Sequence, residues 1–504
     1  MKYPTERIDQ YTYLKLGLYI LGFLIVSVLF VVLSSNGDHK QFMEVIRLNK
    51  YEIHSGVFRY ILSIAGAMLS GWLVVRFGIG RRFILLPTAV FFVLLTVLVY
   101  PGIIMTASDD PKGNLAAYGY IVSLILFSLG VVTASILLHY QPTKEVNIYY
   151  SKLGTSFVID GLARQWVIII AIAGTFLLAF GIGFNDSGVY SSINSFFKSG
   201  IISDSSEEVL TFRMAKYESS QSVFAVGLGY LNRLVMPIVA ISLVLYGSMM
   251  KKRLLKWAGF VMVAFVCIML LGTGSRLAVG QIIIYFLIVF TLIRPLHFKN
   301  LFWIAFVSIV LLTLMTLGMG RFTGGEGRII NTVMAVNRVI ERVFLSKGAA
   351  TLIVFEYFPH VESYQFGMTI ITQLTGRISE TSTLAQKMMM YKYGSLGTAG
   401  PQSFGEAYAN FGIIGMILYS FIIGIALQVI SICIVRKKNL EPHTIAIMGY
   451  IIFLCAYSGY SGIVSFKTNG LHILLVYVVV SKVIIEIIRG SVGKKGSNRH
   501  TEVT

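Results

Sequence analysis

The sequence predicts an all-α polytopic membrane protein, and three observations support that prediction. Hydrophobic residues make up 56% of the 504 residues and charged residues only 13%, with a mean hydropathy of +0.76. Apolar stretches close to the roughly 20 residues that cross a bilayer recur along the chain. Most connections between these stretches are short. Because lipid offers the backbone no hydrogen-bond partners, stretches of this length are expected to be helices.

About twelve stretches qualify as transmembrane helices by length. They cover residues 16–33, 57–75, 83–105, 116–138, 167–184, 223–250, 257–272, 277–293, 301–318, 413–435, 445–466 and 473–488. The first is longer than a signal-peptide core and lacks a small-residue cleavage site, so it is expected to be retained. Residues 1–320 then hold the first nine helices, residues 412–490 the last three, and residues 491–504 a short cytoplasmic tail.

The distribution of the 42 Lys and Arg residues predicts the orientation of these helices. With the N-terminus inside, inner connections carry basic runs such as Lys251-Lys252-Arg253 and Arg436-Lys437-Lys438, whereas each short outer turn holds one basic residue. The positive-inside rule therefore predicts that both termini are cytoplasmic. The net charge of +19 is assigned to topology and to contact with anionic membrane lipids, and no nucleic-acid partner is expected.

One large extracytoplasmic loop, residues 321–411, interrupts the series of apolar stretches. Apolar residues at helical spacing after Arg328 predict an amphipathic helix there, and Thr381–Met390 is predicted as another short helix. The loop ends in the run Gly400-Pro401-Gln402-Ser403-Phe404-Gly405-Glu406-Ala407-Tyr408-Ala409-Asn410-Phe411-Gly412. A polar loop of this length favours chemistry at the membrane surface.

Five arginines stand where the membrane or its edge makes a charge costly. Arg276 closes the turn after Gly272, Arg233 lies within a predicted span, and Arg321, Arg328 and Arg377 belong to the large loop. A guanidinium group donates two parallel hydrogen bonds to phosphate oxygens and keeps its charge. These residues are therefore candidate phosphate ligands. The alternative for each is an anchor at the membrane surface or an ion pair with a glutamate of the loop.

Glu406 is the candidate general base, because a carboxylate near apolar walls has a raised pKa and can accept a proton. Its alternative role is to offset the macrodipole at a helix N-terminus. His360 could act as the base instead, although a single loop histidine is more often a surface residue. Tyr408 is a candidate sugar contact. The three cysteines are spaced too far apart for a metal site, so no metal and no cofactor are expected.

Two of these motifs carry a resemblance to a known family. They are Gly272-Thr273-Gly274-Ser275-Arg276 between two spans and Phe404-Gly405-Glu406-Ala407-Tyr408-Ala409-Asn410-Phe411-Gly412-Ile413-Ile414-Gly415 at the start of another. The chain resembles the Wzy-type oligosaccharide repeat unit polymerases, or O-antigen polymerases, of bacteria. The family is similar in its number of spans, its cytoplasmic termini and its large outer loop.

The resemblance implies a GT-C-like membrane glycosyltransferase of the bacterial plasma (inner) membrane that builds O-antigen, capsular polysaccharide or exopolysaccharide. Undecaprenyl-pyrophosphate-linked glycans would be both donor and acceptor. Arg276 and Arg321, with Arg233 or Arg377, would stabilise the departing pyrophosphate, and Glu406 or His360 would take the acceptor proton. A flippase and a chain-length regulator are further partners that the resemblance implies.

Two alternative functions remain open from the sequence. An O-antigen ligase would use the same donor and differ in its acceptor. A lipid-linked oligosaccharide flippase would require charged residues distributed over many helices, whereas intramembrane charges here are few, chiefly Arg59, Arg233 and Lys482.

Overall fold

The computed structural model describes part of the chain. The described residues are 57–80, 85–155, 231–271, 276–294, 345–369, 371, 384–394, 401–438, 440–462 and 470–480. Within these ranges the regular structure is helical and contains no strand. We label the described helices α1 to α12 in chain order.

The N-terminal described helices form four consecutive elements. Helix α1 runs Val57–Leu73 and continues in the π-helical turn Val74–Ile79; α2 is Pro87–Thr106, α3 is Pro111–Leu137 and α4 is Pro142–Thr155. Asp110 begins α3 by accepting a hydrogen bond from the Gly113 amide at 2.7 Å. That contact satisfies one of the free amides of the first turn.

The remaining described helices include one interrupted by a backbone break. They are α5 Met236–Met249, α6 Arg253–Leu271, α7 Arg276–Ile293, α8 Ser346–Tyr357, α9 Leu384–Tyr393, α10 Ser403–Val435, α11 Pro442–Ser461 and α12 Leu471–Val480. Helix α10 is interrupted at Gly412, where φ is 67° and ψ is −162°.

Five of these segments are long and apolar enough to cross a bilayer, which identifies a helical membrane protein. They are Phe58–Ile79, Pro87–Thr106, Pro111–Leu137, Ser403–Val435 and Pro442–Ser461. Shorter apolar helices, including Arg233–Met249, Gly280–Ile293 and Leu471–Val480, stand beside them.

Helices α3 and α10 form the closest pair in the bundle. A Cβ added at Gly130 would lie 2.3 Å from the carbonyl oxygen of Phe421, and one added at Gly424 would lie 2.2 Å from that of Phe127. Only glycine permits such an approach of two backbones, which is how membrane helices associate through small residues. The two helices run parallel and begin at the same end of the bundle.

Buried polar side chains connect α10 to its neighbours. The Gln428 amide nitrogen donates to the Ser135 hydroxyl of α3 at 3.0 Å, and the Thr88 hydroxyl of α2 donates to the Gln428 oxygen at 2.9 Å. The same Ser135 hydroxyl donates to the Phe77 carbonyl at 2.9 Å. These bonds fix the register of α1, α2 and α10 around α3.

Helix α11 joins this group to α5, α7 and α12. The Tyr285 hydroxyl of α7 donates to the Ala446 carbonyl at 2.8 Å. The His443 ring lies 3.3 Å from the Ser242 hydroxyl and 3.2 Å from that of Tyr477. Helix α11 runs antiparallel to α10 and ends beside its start, because the Ser403 hydroxyl of α10 lies 3.5 Å from the Gly459 carbonyl oxygen near the end of α11.

The two ends of the bundle differ in charge. We call the end at which α3 and α10 begin the Glu406 end, and the opposite one the Arg436 end. The Glu406 end mixes both signs, whereas basic residues dominate the Arg436 end of the described chain: Lys144, Lys251, Lys252, Arg253, Lys256, Arg294, Arg436, Lys437 and Lys438, against Glu145 and Glu441.

The five candidate membrane spans coincide with predicted spans, with shifted ends. Helix α4 corresponds to no predicted span. Helix α3 begins at Pro111 rather than at 116, and α11 begins at Pro442 rather than at 445. The largest difference is in α10, which begins at Ser403 rather than at 413. The final residues of the predicted outer loop are therefore helical, and residues 401–410 are buried.

Within the predicted outer loop, helix α9 lies close to the expected 381–390 segment. Helix α8 was not predicted. The predicted spans 16–33, 167–184 and 301–318 and the amphipathic helix after Arg328 lie outside the described residues, so the total of about twelve spans stays a prediction.

Candidate functional site

Glu406 is a buried carboxylate in the first turn of α10. Gln402, the residue directly before α10, caps the helix. Its side-chain oxygen accepts a hydrogen bond from the Phe404 amide at 2.8 Å. Glu406 is only 4% exposed. A carboxylate is favoured at a helix N-terminus by the helix dipole, but burial at the edge of a membrane bundle also makes it a candidate functional group.

The end of α11 forms one wall against the Glu406 carboxylate. Gly462 terminates α11 with φ of 89°, and a Cβ there would lie 2.6 Å from Oε2 of Glu406. Beside it, the Ser403 hydroxyl is 3.5 Å from the Gly459 carbonyl oxygen of α11. The carboxylate therefore packs directly against the backbone of Gly462, and a side chain at position 462 would displace it.

Lys347 brings a cation to the same end of α11. Its ammonium nitrogen lies 5.0 Å from the centre of the Tyr460 ring, two residues before Gly462. Helix α8 is held there by Gly348, where a Cβ would come within 2.4 Å of the Gly102 backbone. Burial lowers the pKa of Lys347 to about 8. We call Glu406, Ser403, Gly462, Lys347 and Tyr460 the Glu406 site.

Sequence reasoning missed Lys347 because it stands in the predicted polar loop. A signal was available, since Lys347 is followed by Gly348-Ala349-Ala350 and the apolar run of α8. A lysine that opens an apolar segment next to a membrane bundle is expected to be desolvated.

A loop closes the break in α10 just beyond Glu406. The Gln365 amide donates to the Ala409 carbonyl at 3.1 Å, and the Phe366 amide donates to the Asn410 carbonyl at 2.8 Å. The break leaves these two carbonyl oxygens without their usual partners in the helix, and the loop amides satisfy them. The loop at 365–369 thus replaces the hydrogen bonds that the helix loses at the break.

Asn410 holds that loop in position. Its side-chain oxygen accepts from the Gly367 amide at 3.0 Å, while its nitrogen donates to the Thr369 hydroxyl at 2.6 Å and to the Glu406 carbonyl at 2.8 Å. Asn410 is fully buried. One side chain therefore connects the loop to the helical turn that carries Glu406.

A partly exposed charge cluster ties the same loop to α8 and α9. Glu362 accepts from Lys387 at 2.8 Å and from the Tyr357 hydroxyl at 3.0 Å. Desolvation acts to raise the pKa of Glu362, but the hydrogen bonds from Lys387 and Tyr357 lower it overall. Desolvation and the Glu362 carboxylate raise the pKa of Tyr357 to about 12. This cluster supports the loop from its outer side.

Tyr408 and His360 occupy opposite environments. The Tyr408 ring is buried and stacked on Phe355 with centroids 4.0 Å apart, and its hydroxyl is 3.4 Å from the Phe358 carbonyl. Packing within the fold is therefore sufficient to explain the position of the Tyr408 side chain. His360 is exposed, two residues beyond Phe358. Their assignment to sugar binding and to proton transfer stays a prediction.

The predicted arginine cluster is only partly within the described chain. Arg233 is exposed in the π-helical turn Leu231–Val235 that leads into α5. Its backbone carbonyl accepts a hydrogen bond from the Tyr450 hydroxyl at 3.4 Å. Arg276 is the first residue of α7. Arg321, Arg328 and Arg377 lie outside the described residues, so a shared phosphate site stays a prediction.

Arg59 has a structural environment that the sequence did not reveal. It is 2% exposed and donates to the Ala107 carbonyl at 2.7 Å and the Ser108 carbonyl at 3.2 Å. It also pairs with Asp109. The guanidinium thus satisfies the C-terminal carbonyls of α2 at the Glu406 end.

Within the described ranges, no three His, Cys, Asp or Glu side chains are placed to hold a metal ion. No family model matches the chain, and neither a curated protein nor a solved structure is significantly similar to it.

Proposed function

We propose that the protein is a membrane glycosyltransferase that polymerises undecaprenyl-pyrophosphate-linked oligosaccharide repeat units into O-antigen, capsular polysaccharide or exopolysaccharide. The observation that carries this proposal is the Glu406 carboxylate, which is buried at the end of the bundle opposite its basic end. The proposal also includes the outer face of the bacterial plasma membrane as the place of reaction.

The charge asymmetry of the bundle supports that orientation. Basic residues concentrate at the Arg436 end, which the positive-inside rule assigns to the cytoplasm. Glu406 then faces the outer side. Residues 413–435 of α10 would rise about 34 Å, close to the roughly 30 Å of the hydrocarbon core. Gly412 would therefore lie at the outer edge of the acyl chains.

The depth of Glu406 fits a lipid-linked substrate. Glu406 lies six positions before Gly412, which places the carboxylate about 9 Å further out along the helix. That is the headgroup layer, where the pyrophosphate and first sugar of a polyprenyl carrier would lie. A buried base at this depth can meet a sugar hydroxyl while its lipid stays in the membrane.

In the proposed reaction, Glu406 takes the proton from a hydroxyl at the non-reducing end of the acceptor. The hydroxyl oxygen bonds to the anomeric carbon of the donor, and the bond from that carbon to pyrophosphate breaks with its electron pair on the pyrophosphate oxygen. General base catalysis typically contributes 10²- to 10⁴-fold. Arg276, Arg321 and Arg377, with Lys347, are the cations proposed to stabilise the leaving group.

The test is to delete the gene and to separate the surface polysaccharide on a gel. Single repeat units in place of a ladder are expected, and the ladder should return with the intact gene. An unchanged ladder in the deletion strain would refute the polymerase. Purified protein in lipid vesicles that contain lipid-linked repeat units should also form polymer without any other protein.

A second function, transport of lipid-linked oligosaccharides, is favoured by one observation. Helix α10 is broken at Gly412 close to a buried carboxylate, and broken helices with intramembrane charges are typical of transporter binding sites. The deletion distinguishes the two functions. Loss of a flippase would leave repeat units on the inner leaflet and none at the surface, and the purified protein would form no polymer.

A further inference from the structure

The exposed face of α10 is apolar along most of its length. Beyond the break, Ile414, Leu418 and Ile422 are all exposed, and their spacing of four residues places them on one side of the helix. In a helix that crosses the membrane, an exposed aliphatic stripe of this kind faces the acyl chains.

The loop that closes the break continues this apolar stripe. Phe366, Met368 and Ile371 are exposed, and Gly367 lies against the ring of Phe411, because a Cβ there would be 3.5 Å from its ζ-carbon. Phe411 is itself exposed, directly before Gly412. Phe411 and the segment 366–371 therefore present exposed apolar side chains at the level of the break.

The backbone of Phe366 adopts a conformation that a bulky residue rarely takes. Its φ is 46°, in the left-handed region where a non-glycine residue other than Asn or Asp is uncommon. The hydrogen bonds of the Phe366 amide to the Asn410 carbonyl and of the Gly367 amide to the Asn410 side chain hold the backbone in this conformation. The ring itself is 73% exposed, so the fold holds a large apolar side chain at the surface of this loop.

We propose that Phe366, Met368, Ile371 and Phe411 form a membrane wedge, which sits among the outermost acyl chains beside the break in α10. The partner is the lipid bilayer, because the wedge is continuous with the lipid-facing stripe at Ile414. Among the described residues, Glu362 adjoins the wedge through its hydrogen bond from the Gln365 side chain and pairs with Lys387, as expected at a boundary between lipid and water.

The wedge gives the loop a second attachment beside the hydrogen bonds of Asn410. Asn410 fixes the loop to α10, and the wedge fixes the same loop to the bilayer surface. Glu406, one turn before Asn410, is thereby held at a constant depth relative to the lipid. This inference requires only that the protein spans a membrane and does not depend on the proposed reaction.

The test places an environment-sensitive fluorophore on single cysteines of the full chain in lipid nanodiscs. The three native cysteines, Cys267, Cys433 and Cys455, are first replaced by alanine, and the variant must remain monodisperse. Phe366→Cys probes the wedge, Leu418→Cys is the lipid control on α10, and Lys392→Cys on α9 is the water control. Quenching is measured with lipids brominated near the headgroup or near the chain end, and with aqueous iodide.

The wedge predicts that a label at 366 is quenched by shallow brominated lipid and protected from iodide. The label at 418 should respond to deeper bromine and the label at 392 to iodide alone. Iodide quenching at 366 equal to that at 392 would overturn the proposal, because the surface would then face water. Protection from both quenchers would overturn it in favour of a protein contact. Met368→Cys repeats the measurement if Phe366→Cys does not fold.

Discussion

Glu145 and Glu406 lie at opposite ends of the bundle and in opposite environments. At the Arg436 end, Glu145 of α4 accepts two hydrogen bonds from the Arg436 guanidinium, at 2.7 and 2.8 Å, and the arginine remains exposed. At the Glu406 end, the carboxylate is buried against the last residues of α11. A water-facing ion pair needs no special surroundings, whereas a buried carboxylate persists only where the fold supports it.

We therefore expect the buried charge, rather than the exposed ion pair, to have a functional role. The Arg436–Glu145 pair holds α4 against α10, which is a structural task. Glu406 instead is buried against Gly462 and precedes the break in α10, and Lys347 lies over Tyr460 at the same end of α11. The following predictions test whether the two ends differ in function as they differ in burial.

The largest effect is expected at Glu406. Replacement of Glu406 by Gln keeps the size of the side chain but removes the proton acceptor, so the rate of polymer formation should fall about 10²- to 10⁴-fold. The rate is measured with lipid-linked repeat units and purified protein at matched amounts. Glu441→Gln, at the start of α11 on the other end, is the control and should keep full activity. If His360→Asn abolishes polymer while Glu406→Gln does not, the histidine is the base.

Gly462→Ala should both strain the end of α11 and displace the Glu406 carboxylate. The backbone of Gly462 has φ of 89° and ψ of 168°, a region restricted almost to glycine, so the substitution should cost about 1–3 kcal/mol. Thermal unfolding in detergent and polymer formation should both decline. Gly280→Ala is the matched control, because nothing lies within 4 Å of its Cβ position in α7. Equal effects of the two variants would show that the contact between Gly462 and the Glu406 carboxylate has no special importance.

Asn410→Ala should release the loop from the break in α10. The substitution leaves the Gly367 amide and the Thr369 hydroxyl without their shared partner, at a cost of about 1–3 kcal/mol. Hydrogen exchange at residues 365–369 should accelerate before the rest of α10 is affected. Asn114→Ala, which removes one exposed hydrogen bond to Asp109, should change stability by less than about 0.5 kcal/mol.

Arg436→Ala should have a small effect despite its two short hydrogen bonds to Glu145. An exposed ion pair typically contributes about 0.2–1 kcal/mol and is screened by salt. A double-mutant cycle with Glu145→Gln, measured by thermal unfolding at low and high salt, gives the coupling energy. A coupling energy well above this range that persists in high salt would show that the exposed pair contributes strongly to stability, contrary to the contrast drawn from burial.

Lys347 should lose its proton at a lower pH than the exposed lysines. Burial lowers its pKa from 10.5 to about 8, so the unfolded chain binds more protons between these values. The unfolding free energy therefore rises as pH increases from about 8 towards 10.5. Methylation of the lysines with ¹³C and NMR titration should reveal one signal near pH 8 that Lys347→Arg removes; a signal that titrates with exposed lysines would contradict the desolvation.

The five described spans were predictable because length and apolar composition indicate that a segment can cross a membrane. The same reasoning did not give the start of α10. Its first turns contain Ser403, Glu406 and Asn410, which read as a polar loop, yet residues 401–410 are buried among α8, α11 and the 365–369 loop. The polar groups are satisfied by partners distant in sequence, and hydropathy contains no information about such partners.

For the candidate site, the sequence indicated Glu406 as a carboxylate near apolar residues at the start of a span, and its role as the general base stays a prediction. Lys347 was missed because its desolvation depends on the packing of Gly348 against Gly102, far away in the chain. Arg59 was noted as a membrane charge, but its pairing with Asp109 and the end of α2 emerged only from the fold.

The sequence by itself determined that the protein is helical and lies in a membrane, because lipid leaves an apolar segment of sufficient length no alternative to the helix. Only the tertiary structure decided that Glu406 is buried against Gly462 and that a loop replaces a turn of α10 at Gly412. These features arise where separate segments meet, and the free energy of a buried charge or a broken helix depends on the partners that meet it there.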